Sequence, residues 1–175
     1  MKRLAILLAS LLLAQFSAAQ AGLFERLKSQ LADTPFSVEV EGKENDCVEM
    51  YGRAFRVFTD ELKLWYDGKT LWHLKGDEVY VSEPDHTEFM PYQLFAPSTY
   101  GFTMTEGNRQ LKFVKQDFSV VIGIGNDGLP SRVEVRTPDA QFDLRLKELR
   151  KCSFESDHFR FDTASWPHVE VVDLR

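Results

Sequence analysis

The sequence predicts a mainly β domain with few helices: an open, strongly curled antiparallel sheet, a half-barrel, under a helical cover. After one short amphipathic stretch, apolar and polar residues alternate in short segments, with turn residues between them. The chain has 14 Phe, 5 Tyr and 3 Trp, which is more apolar surface than a flat sheet with one buried face can hide. The sheet is therefore expected to curl, and other elements are expected to cover its concave side.

The first two dozen residues have the pattern of an export signal. Lys2 and Arg3 precede an uncharged apolar run over residues 4–16, and Ala19-Gln20-Ala21 fits the A-x-A cleavage rule. A membrane anchor is the alternative, but a spanning helix needs about 20 apolar residues. We expect cleavage after about Ala21, which leaves residues 22–175 as a single exported domain.

Net charge excludes some classes of partner. The chain carries 21 basic and 27 acidic residues, a net charge of −6 at pH 7, and two of the basic residues lie in the predicted signal. A surface this acidic argues against binding to nucleic acid or to anionic lipid headgroups, since both require basic patches. We therefore expect a soluble domain without nucleic-acid partners.

Cys47 and Cys152 are the two cysteines of the chain. In an oxidising compartment such a pair is a disulfide candidate. The alternative is two separate buried thiols. A metal site is not expected, because there is no C-x-x-C and no closely spaced pair of histidines.

Residues that resemble catalytic or nucleotide-binding motifs have simpler explanations. Residues 123–128 match G-x-G-x-x-G, but a strand pattern follows them where a dinucleotide site needs a helix. Ser82, Asp85 and His86 lie too close together on a Pro-rich loop for triad geometry, and His158 is expected to face solvent. The enzyme alternative is a small hydrolase that uses His86 or His158. We predict no catalytic residues and no cofactor.

Periodicity and turn residues predict one helix, over residues 22–32, followed by strands. Asp67-Gly68 marks a hairpin, because this dipeptide accepts positive φ. Residues 83–98 contain three prolines between large apolar side chains, which excludes a central strand there and predicts an apolar loop. The predicted strands cover residues 36–41, 47–51, 53–59, 61–66, 70–74, 78–82, 100–106, 110–115, 118–124, 131–137, 141–149, 158–161 and 169–172.

A curled sheet under a removable cover is a container for an apolar ligand, whereas a fully packed core is the alternative. Alternation along the strands gives the residues expected to line the cavity: Phe36, Val38, Phe55, Val57, Leu64, Trp72, Val79, Val81, Phe113, Val121, Phe142, Leu144 and Phe161. The helix and the apolar loop give those expected to form the lid: Leu23, Phe24, Leu27, Phe89, Met90, Leu94 and Phe95.

Several segments, in this order, resemble the LolA-type periplasmic lipoprotein carriers, in a compact variant. Residues 64–73 (LWYDGKTLWH) are similar to that family's central hairpin. Residues 79–84 and 91–95 (VYVSEP and PYQLF) resemble its next strand and Pro-containing helical loop, and residues 159–175 resemble its F-x-F…P-x-x-x-V-I-D ending. The resemblance extends over most of residues 22–175.

This resemblance implies a non-enzymatic function. Members of the family take acylated lipoproteins from an inner-membrane lipoprotein-releasing transporter and pass them to an outer-membrane acceptor. The expectation is a periplasmic monomer that carries lipoprotein acyl chains, or another lipid, in its cavity. In fuller members an early Arg helps to latch the lid, and Arg53 and Arg56 are both candidates for it here. A periplasmic protein-interaction module with a solid core and no lipid cargo is the alternative.

Overall fold

A computed structural model describes residues 22–42, 46–60, 62–84, 89–138 and 140–175. The predicted signal, residues 1–21, lies outside them. Two short 3-10 helices, Pro91–Phe95 and Pro97–Tyr100, interrupt the strands. The other elements, in chain order, are α1 (Leu23–Leu31), β1 (Phe36–Val40), β2 (Cys47–Tyr51), β3 (Ala54–Phe58), β4 (Lys63–Tyr66), β5 (Leu71–Lys75), β6 (Glu78–Ser82), β7 (Thr103–Gly107), β8 (Gln110–Lys115), β9 (Phe118–Ile124), β10 (Pro130–Arg136), β11 (Gln141–Lys151) and β12 (Glu170–Asp173).

The twelve strands form one open sheet in the order β12-β6-β5-β4-β3-β2-β1-β11-β10-β9-β8-β7. Every neighbouring pair is antiparallel except β12 and β6, which are parallel. The predicted mainly β architecture with an N-terminal helix is confirmed. Among the antiparallel pairings of the described strands, only that of β1 with β11 joins strands that are distant in the sequence, and it connects the two halves of the sheet.

Tight turns set the register of the strands. Gly68 has φ of +97°, a conformation that glycine adopts without steric cost. The Asp67 carboxylate accepts hydrogen bonds from the backbone N–H groups of Lys69 (3.0 Å) and Thr70 (2.8 Å). The G-x-G-x-x-G stretch is also a hairpin, as predicted: Gly125 N–H donates to the Leu129 carbonyl at 2.7 Å, and β10 follows directly.

A β-bulge lies where the two halves of the sheet join. Glu39 pairs with Glu148 whereas its neighbour Val40 pairs with Leu146, so β11 has one extra residue at this point. The extra residue reverses the alternation of β11. As a consequence Leu149, three residues after Leu146, returns to the same face of the sheet.

Buried apolar side chains form two clusters on opposite faces of the sheet. The larger one joins α1 and the apolar loop to strands β1–β4 and β7–β11. The smaller one lies between strands β4–β6 and the C-terminal segment, and contains Trp65, Leu74, Val79 and Phe161. Strands β4 and β5 therefore carry packed apolar side chains on both faces, whereas β6 contributes only to the smaller cluster.

The C-terminal segment differs in part from the prediction. Residues 158–161 form turns instead of a strand, and the Phe161 ring packs edge-on against Trp65 at 5.0 Å. The aromatic side chains of this segment anchor it to the sheet, which is why their spacing resembled a strand. The last predicted strand exists as β12, at the edge of the sheet.

The disulfide prediction is wrong in this structure, because Cys47 and Cys152 are both free. They lie on opposite sides of β1: Cys47 pairs with Glu39, whereas the Cys152 N–H donates to the Pro35 carbonyl. Two strand spacings are about 10 Å, which exceeds the Cα separation a disulfide spans. Burial, with a smaller contribution from Glu49, raises the pKa of the Cys47 thiol, which makes it a poor nucleophile.

In the part of the chain that the structure describes, no helix combines the length and apolar character needed to cross a bilayer.

Candidate functional site: an apolar pocket under α1

An apolar pocket of about 260 Å³ lies between α1, the apolar loop and the sheet. All but one of its lining residues are apolar; the exception is Lys28 on α1. The apolar lining consists of Phe24, Leu27, Leu31, Phe36, Val38, Val40, Val48, Met50, Val57, Phe89, Pro91, Leu94, Phe95, Phe113, Val120, Ile122, Pro130, Val133, Val135, Leu144, Leu146 and Leu149.

Helix α1 covers the pocket with one face. Phe24, Leu27 and Leu31 are buried, and their spacing of three and four residues places them on one side of the helix. The Phe24 ring contacts Phe113 of β8 edge-on at 6.2 Å between ring centres. Because α1 is only nine residues long, it depends on this packing for its stability.

A carboxylate from the edge strand β7 caps the first turn of α1. Glu106 accepts hydrogen bonds from the backbone N–H groups of Leu23 (3.0 Å) and Phe24 (3.1 Å). These groups have no partner within the helix, and the negative charge complements the helix dipole. Gly22 fits closely here, since a Cβ atom at that position would lie 2.7 Å from Glu106 Oε1.

The apolar loop covers the pocket from another side. Phe89, Pro91, Leu94 and Phe95 line it, and the Phe89 ring packs on Phe118 of β9 at 4.6 Å. The loop has a polar support as well, because the Met90 N–H donates to the buried Gln93 side chain at 3.3 Å. Residues 89–95 of the loop therefore pack as a defined structure over the sheet.

Arg53, in the turn between β2 and β3, contacts this loop. Its guanidinium lies 4.9 Å from the centre of the Tyr92 ring and donates a hydrogen bond to the Tyr92 hydroxyl at 3.4 Å. Tyr92 in turn stacks on Tyr66 of β4 at 5.9 Å. Arg56 instead pairs with Glu49 at 2.6 Å. Glu49 alternates with the pocket residues Val48 and Met50, so Arg56 belongs to the opposite face of the sheet.

Tyr66 is 2 % exposed, and its hydroxyl donates to the Gly68 carbonyl at 2.9 Å. Burial, together with the adjacent Tyr92 hydroxyl, raises the pKa of Tyr66 to about 12, from an ordinary value of 10. Below pH 10 the phenol is neutral in both the folded and unfolded states. Between about pH 10 and 12 the unfolded state alone loses the proton, so the stability of the folded state falls as the pH rises through this window.

We expect absorbance at 295 nm to show one phenol that ionises near pH 12 in the folded protein. Tyr66→Phe removes this step, whereas Tyr51→Phe leaves it in place. The same substitution flattens the decline of the free energy of unfolding between pH 10 and 12. A Tyr66→Phe protein that retains the late step contradicts the assignment.

The structure places part of the predicted cavity lining around the pocket. Phe36, Val38, Val57, Phe113 and Leu144 line it. Phe55 and Leu64 belong to the same apolar cluster without lining the pocket. Of the predicted lid, Phe24, Leu27, Phe89, Leu94 and Phe95 line it, whereas Leu23 and Met90 pack in the surrounding cluster.

The other predicted lining residues lie elsewhere. Trp72, Val79 and Phe161 belong to the smaller cluster on the opposite face, and Val81, paired with Trp72, shares that face. Alternation in β5 and β6 identified a buried face, but that face packs against the C-terminal segment and not against the pocket. Phe142 is 49 % exposed, since it lies near the end of β11 beyond the pocket.

The prediction that Val121 lines the pocket is also wrong, by a single residue. Its neighbours Val120 and Ile122 line the pocket instead. Val120 pairs with Val135 of β10, another lining residue, whereas Val121 pairs with Glu134. Residues 120–122 are all apolar, so this run does not itself show which side chains face the pocket. The alternation of apolar and charged residues in the neighbouring strand β10 does show it. Leu149 was missed because the bulge is not visible in the sequence. Leu146 precedes the bulge and alternates with Leu144, so the sequence did contain the signal for it.

No catalytic or metal-binding arrangement accompanies the pocket within the described ranges. His158 Nε2 contacts Glu49 at 2.9 Å on the opposite face of the sheet and is half-buried, not solvent-facing as predicted. His86 and Asp85 lie outside the described residues. Among the residues that are described, no group of three His, Cys, Asp or Glu side chains is placed to hold a metal ion.

Comparison with known proteins assigns no family. No protein-family model matches the chain, and no curated protein matches it either.

Proposed function

We propose that this protein is a non-enzymatic periplasmic carrier that shelters acyl chains of lipoproteins, or of another lipid, in the pocket under α1. The observation that carries the proposal is the lining: 22 of its 23 residues are apolar. Each methylene removed from water contributes about 0.8 kcal/mol, so such a lining favours a hydrocarbon chain over any polar ligand. Among the described residues that line the pocket, only Lys28 is titratable.

The proposed half-barrel shape is supported by which strands line the pocket. Strands β3, β2, β1, β11, β10, β9 and β8 are consecutive in the sheet, and each contributes lining residues. Laid flat, seven strands extend over about 29 Å. A flat sheet of that width does not bring all seven strands to one pocket of about 260 Å³. Curling of the sheet brings them around one space, with α1 and the apolar loop as a lid.

In this proposal residues 1–21 direct export and are cleaved after about Ala21, just before α1 begins at Leu23. The resemblance to LolA-type carriers supplies the partners: an inner-membrane lipoprotein-releasing transporter as donor and an outer-membrane protein as acceptor. A monomer suffices, because the pocket is built from one chain. The lid moves to admit and release the acyl chain, which requires a closed state of only modest stability.

The test is a fluorescence titration of residues 22–175 with 11-(dansylamino)undecanoic acid, followed by displacement with a triacylated cysteinyl peptide. We expect saturable binding of one probe per chain with a blue-shifted emission, and full displacement by the acylated peptide. A peptide of the same sequence without acyl chains serves as the control. A probe that does not bind saturably overturns the proposal and favours the protein-interaction module.

The contact between Arg53 and Tyr92 is proposed as the latch of the lid. Arg53 is exposed, and a cation–π contact at an exposed site contributes about 0.5–1 kcal/mol. We therefore expect Arg53→Leu to raise the rate of probe entry about two- to fivefold, as measured by stopped-flow fluorescence. Arg56→Leu is the matched control, since Arg56 pairs with Glu49 on the other face. Equal entry rates in the wild type and Arg53→Leu contradict the latch.

A further inference from the structure

The volume of the pocket limits how much hydrocarbon it holds. An engineered cavity of about 150 Å³ accommodates benzene, a molecule of six carbons. By that ratio the 260 Å³ pocket holds about ten carbon atoms. The closed pocket therefore has room for most of one medium-length chain, and the three chains of a triacylated lipoprotein require the lid to move.

The single charged residue of the lining gives the pocket a polar end. Lys28 lines the pocket and is half-buried, so its stem contributes apolar surface while its ammonium reaches solvent. The ammonium lies 5.8 Å from the centre of the Phe24 ring. Among the described residues no carboxylate forms an ion pair with it, although the chain has an excess of acidic residues. Lys28 is thus a cation at the rim of an otherwise apolar space.

We propose that the closed pocket binds one fatty acid, with about ten carbons of its chain in the apolar lining and its carboxylate paired with Lys28. This inference rests on the proposed function and deepens it by naming the ligand class of the closed state. One cation matches a singly charged head group. A phosphate monoester carries more negative charge than Lys28 neutralises. The net negative charge of the protein repels the charge that is left unpaired.

Chain length and head group have separate expected effects. Each methylene that enters the pocket raises affinity about fourfold, so affinity climbs with chain length until the pocket is full. A partly exposed ion pair contributes a factor of about two to five. The carboxylate preference is therefore smaller than the chain-length effect, and it is measured against neutral ligands of the same length.

The experiment is displacement of the dansylated probe by saturated fatty acids of six to sixteen carbons and by the matching primary alcohols, at pH 7.5 and low salt. The proteins are the wild type, Lys28→Met and Lys28→Arg. Arg26→Met is the control, because Arg26 is an exposed cation on the same helix that does not line the pocket. Dodecyl phosphate provides a doubly charged head group for comparison.

We expect affinity to rise steeply to about ten carbons and then to level off. In the wild type the affinity for the fatty acid exceeds the affinity for the alcohol of equal length by about two- to fivefold. Lys28→Met abolishes that preference, so that the acid and the alcohol of equal length bind this variant equally, while Lys28→Arg and Arg26→Met keep it.

Several results overturn the inference while sparing the proposed function. One is equal binding of acids and alcohols in the wild type; another is an affinity that still rises fourfold per carbon beyond fourteen carbons; a third is tighter binding of dodecyl phosphate than of dodecanoate. If no ligand of either series binds and the triacylated peptide also fails to displace the probe, the proposed function is overturned as well.

Discussion

Leu144→Glu is expected to abolish acyl-chain binding while the protein remains folded. Leu144 lies on β11, lines the pocket and is half-buried. With the pocket empty, a carboxylate at this position reaches water, so the fold tolerates it. A bound hydrocarbon chain displaces that water and leaves the charge unpaired, a cost of about 2–3 kcal/mol or more. Affinity for the dansylated probe is expected to fall by at least about thirtyfold.

Phe142→Glu is the matched control for this substitution. Phe142 lies two residues earlier on the same strand, but it is 49 % exposed and does not line the pocket. We expect its probe affinity to stay within about twofold of the wild type, a difference smaller than 0.5 kcal/mol. Circular dichroism and thermal unfolding confirm that both proteins are folded. A folded Leu144→Glu protein that binds the probe as the wild type does contradicts the position of the ligand.

Phe113→Ala is expected to cause a large loss of stability. Phe113 lies on β8, is only 1 % exposed and packs against Phe24 of α1. Removing a buried phenyl ring costs about 3–5 kcal/mol, because both its transfer free energy and its packing are lost. A domain of this size has a free energy of unfolding of about 5–15 kcal/mol. The measurement is urea denaturation followed by tryptophan fluorescence.

Two comparisons make this measurement informative. Phe142→Ala removes an exposed ring and is expected to change the free energy of unfolding by less than about 0.5 kcal/mol. The double substitution of Phe24 and Phe113 is expected to be less destabilising than the sum of the two single ones, by about 0.5–1.5 kcal/mol for an aromatic pair. A loss below 1 kcal/mol for Phe113→Ala shows that α1 and β8 do not share one core.

Turn residues and alternation made the strands predictable. The bounds of β2, β6, β8 and β9 coincide with the predicted ranges, and β1 ends one residue before its predicted end. Asp67-Gly68 and residues 125–128 accept the backbone conformations of hairpins, and strands between such turns have little freedom in register. Residues 36–40 alternate strictly, and their apolar members Phe36, Val38 and Val40 all line the pocket.

The faces of the strands were less predictable, for two physical reasons. The buried face of β5 and β6 packs against the C-terminal segment, so Trp72 and Val79 looked like pocket residues although they lie on the opposite face of the sheet. In β9 a continuous apolar run does not show which face is buried. Val121 was therefore predicted to line the pocket, whereas Val120 and Ile122 do so. Side-chain alternation identifies a buried face only where the other face is polar.

Long-range placement was the other limit. The pairing of β1 with β11 separates Cys47 from Cys152, and the bulge in β11 turns Leu149 toward the pocket. Both depend on contacts between residues about 100 positions apart in the sequence. The contact of Arg53 with Tyr92, and the pairing of Arg56 with Glu49, likewise follow from which face each arginine occupies.

The central claim is that an acyl chain occupies the pocket under α1, and photo-crosslinking tests it most directly. A fatty acid that carries a diazirine near the middle of its chain is bound, irradiated and located by mass spectrometry of peptides. We expect labelled residues on α1, β1, β9 and β11, and we expect Leu144→Glu to eliminate the label. Labelling confined to β5, β6 and the C-terminal segment, or labelling that Leu144→Glu leaves unchanged, contradicts the claim.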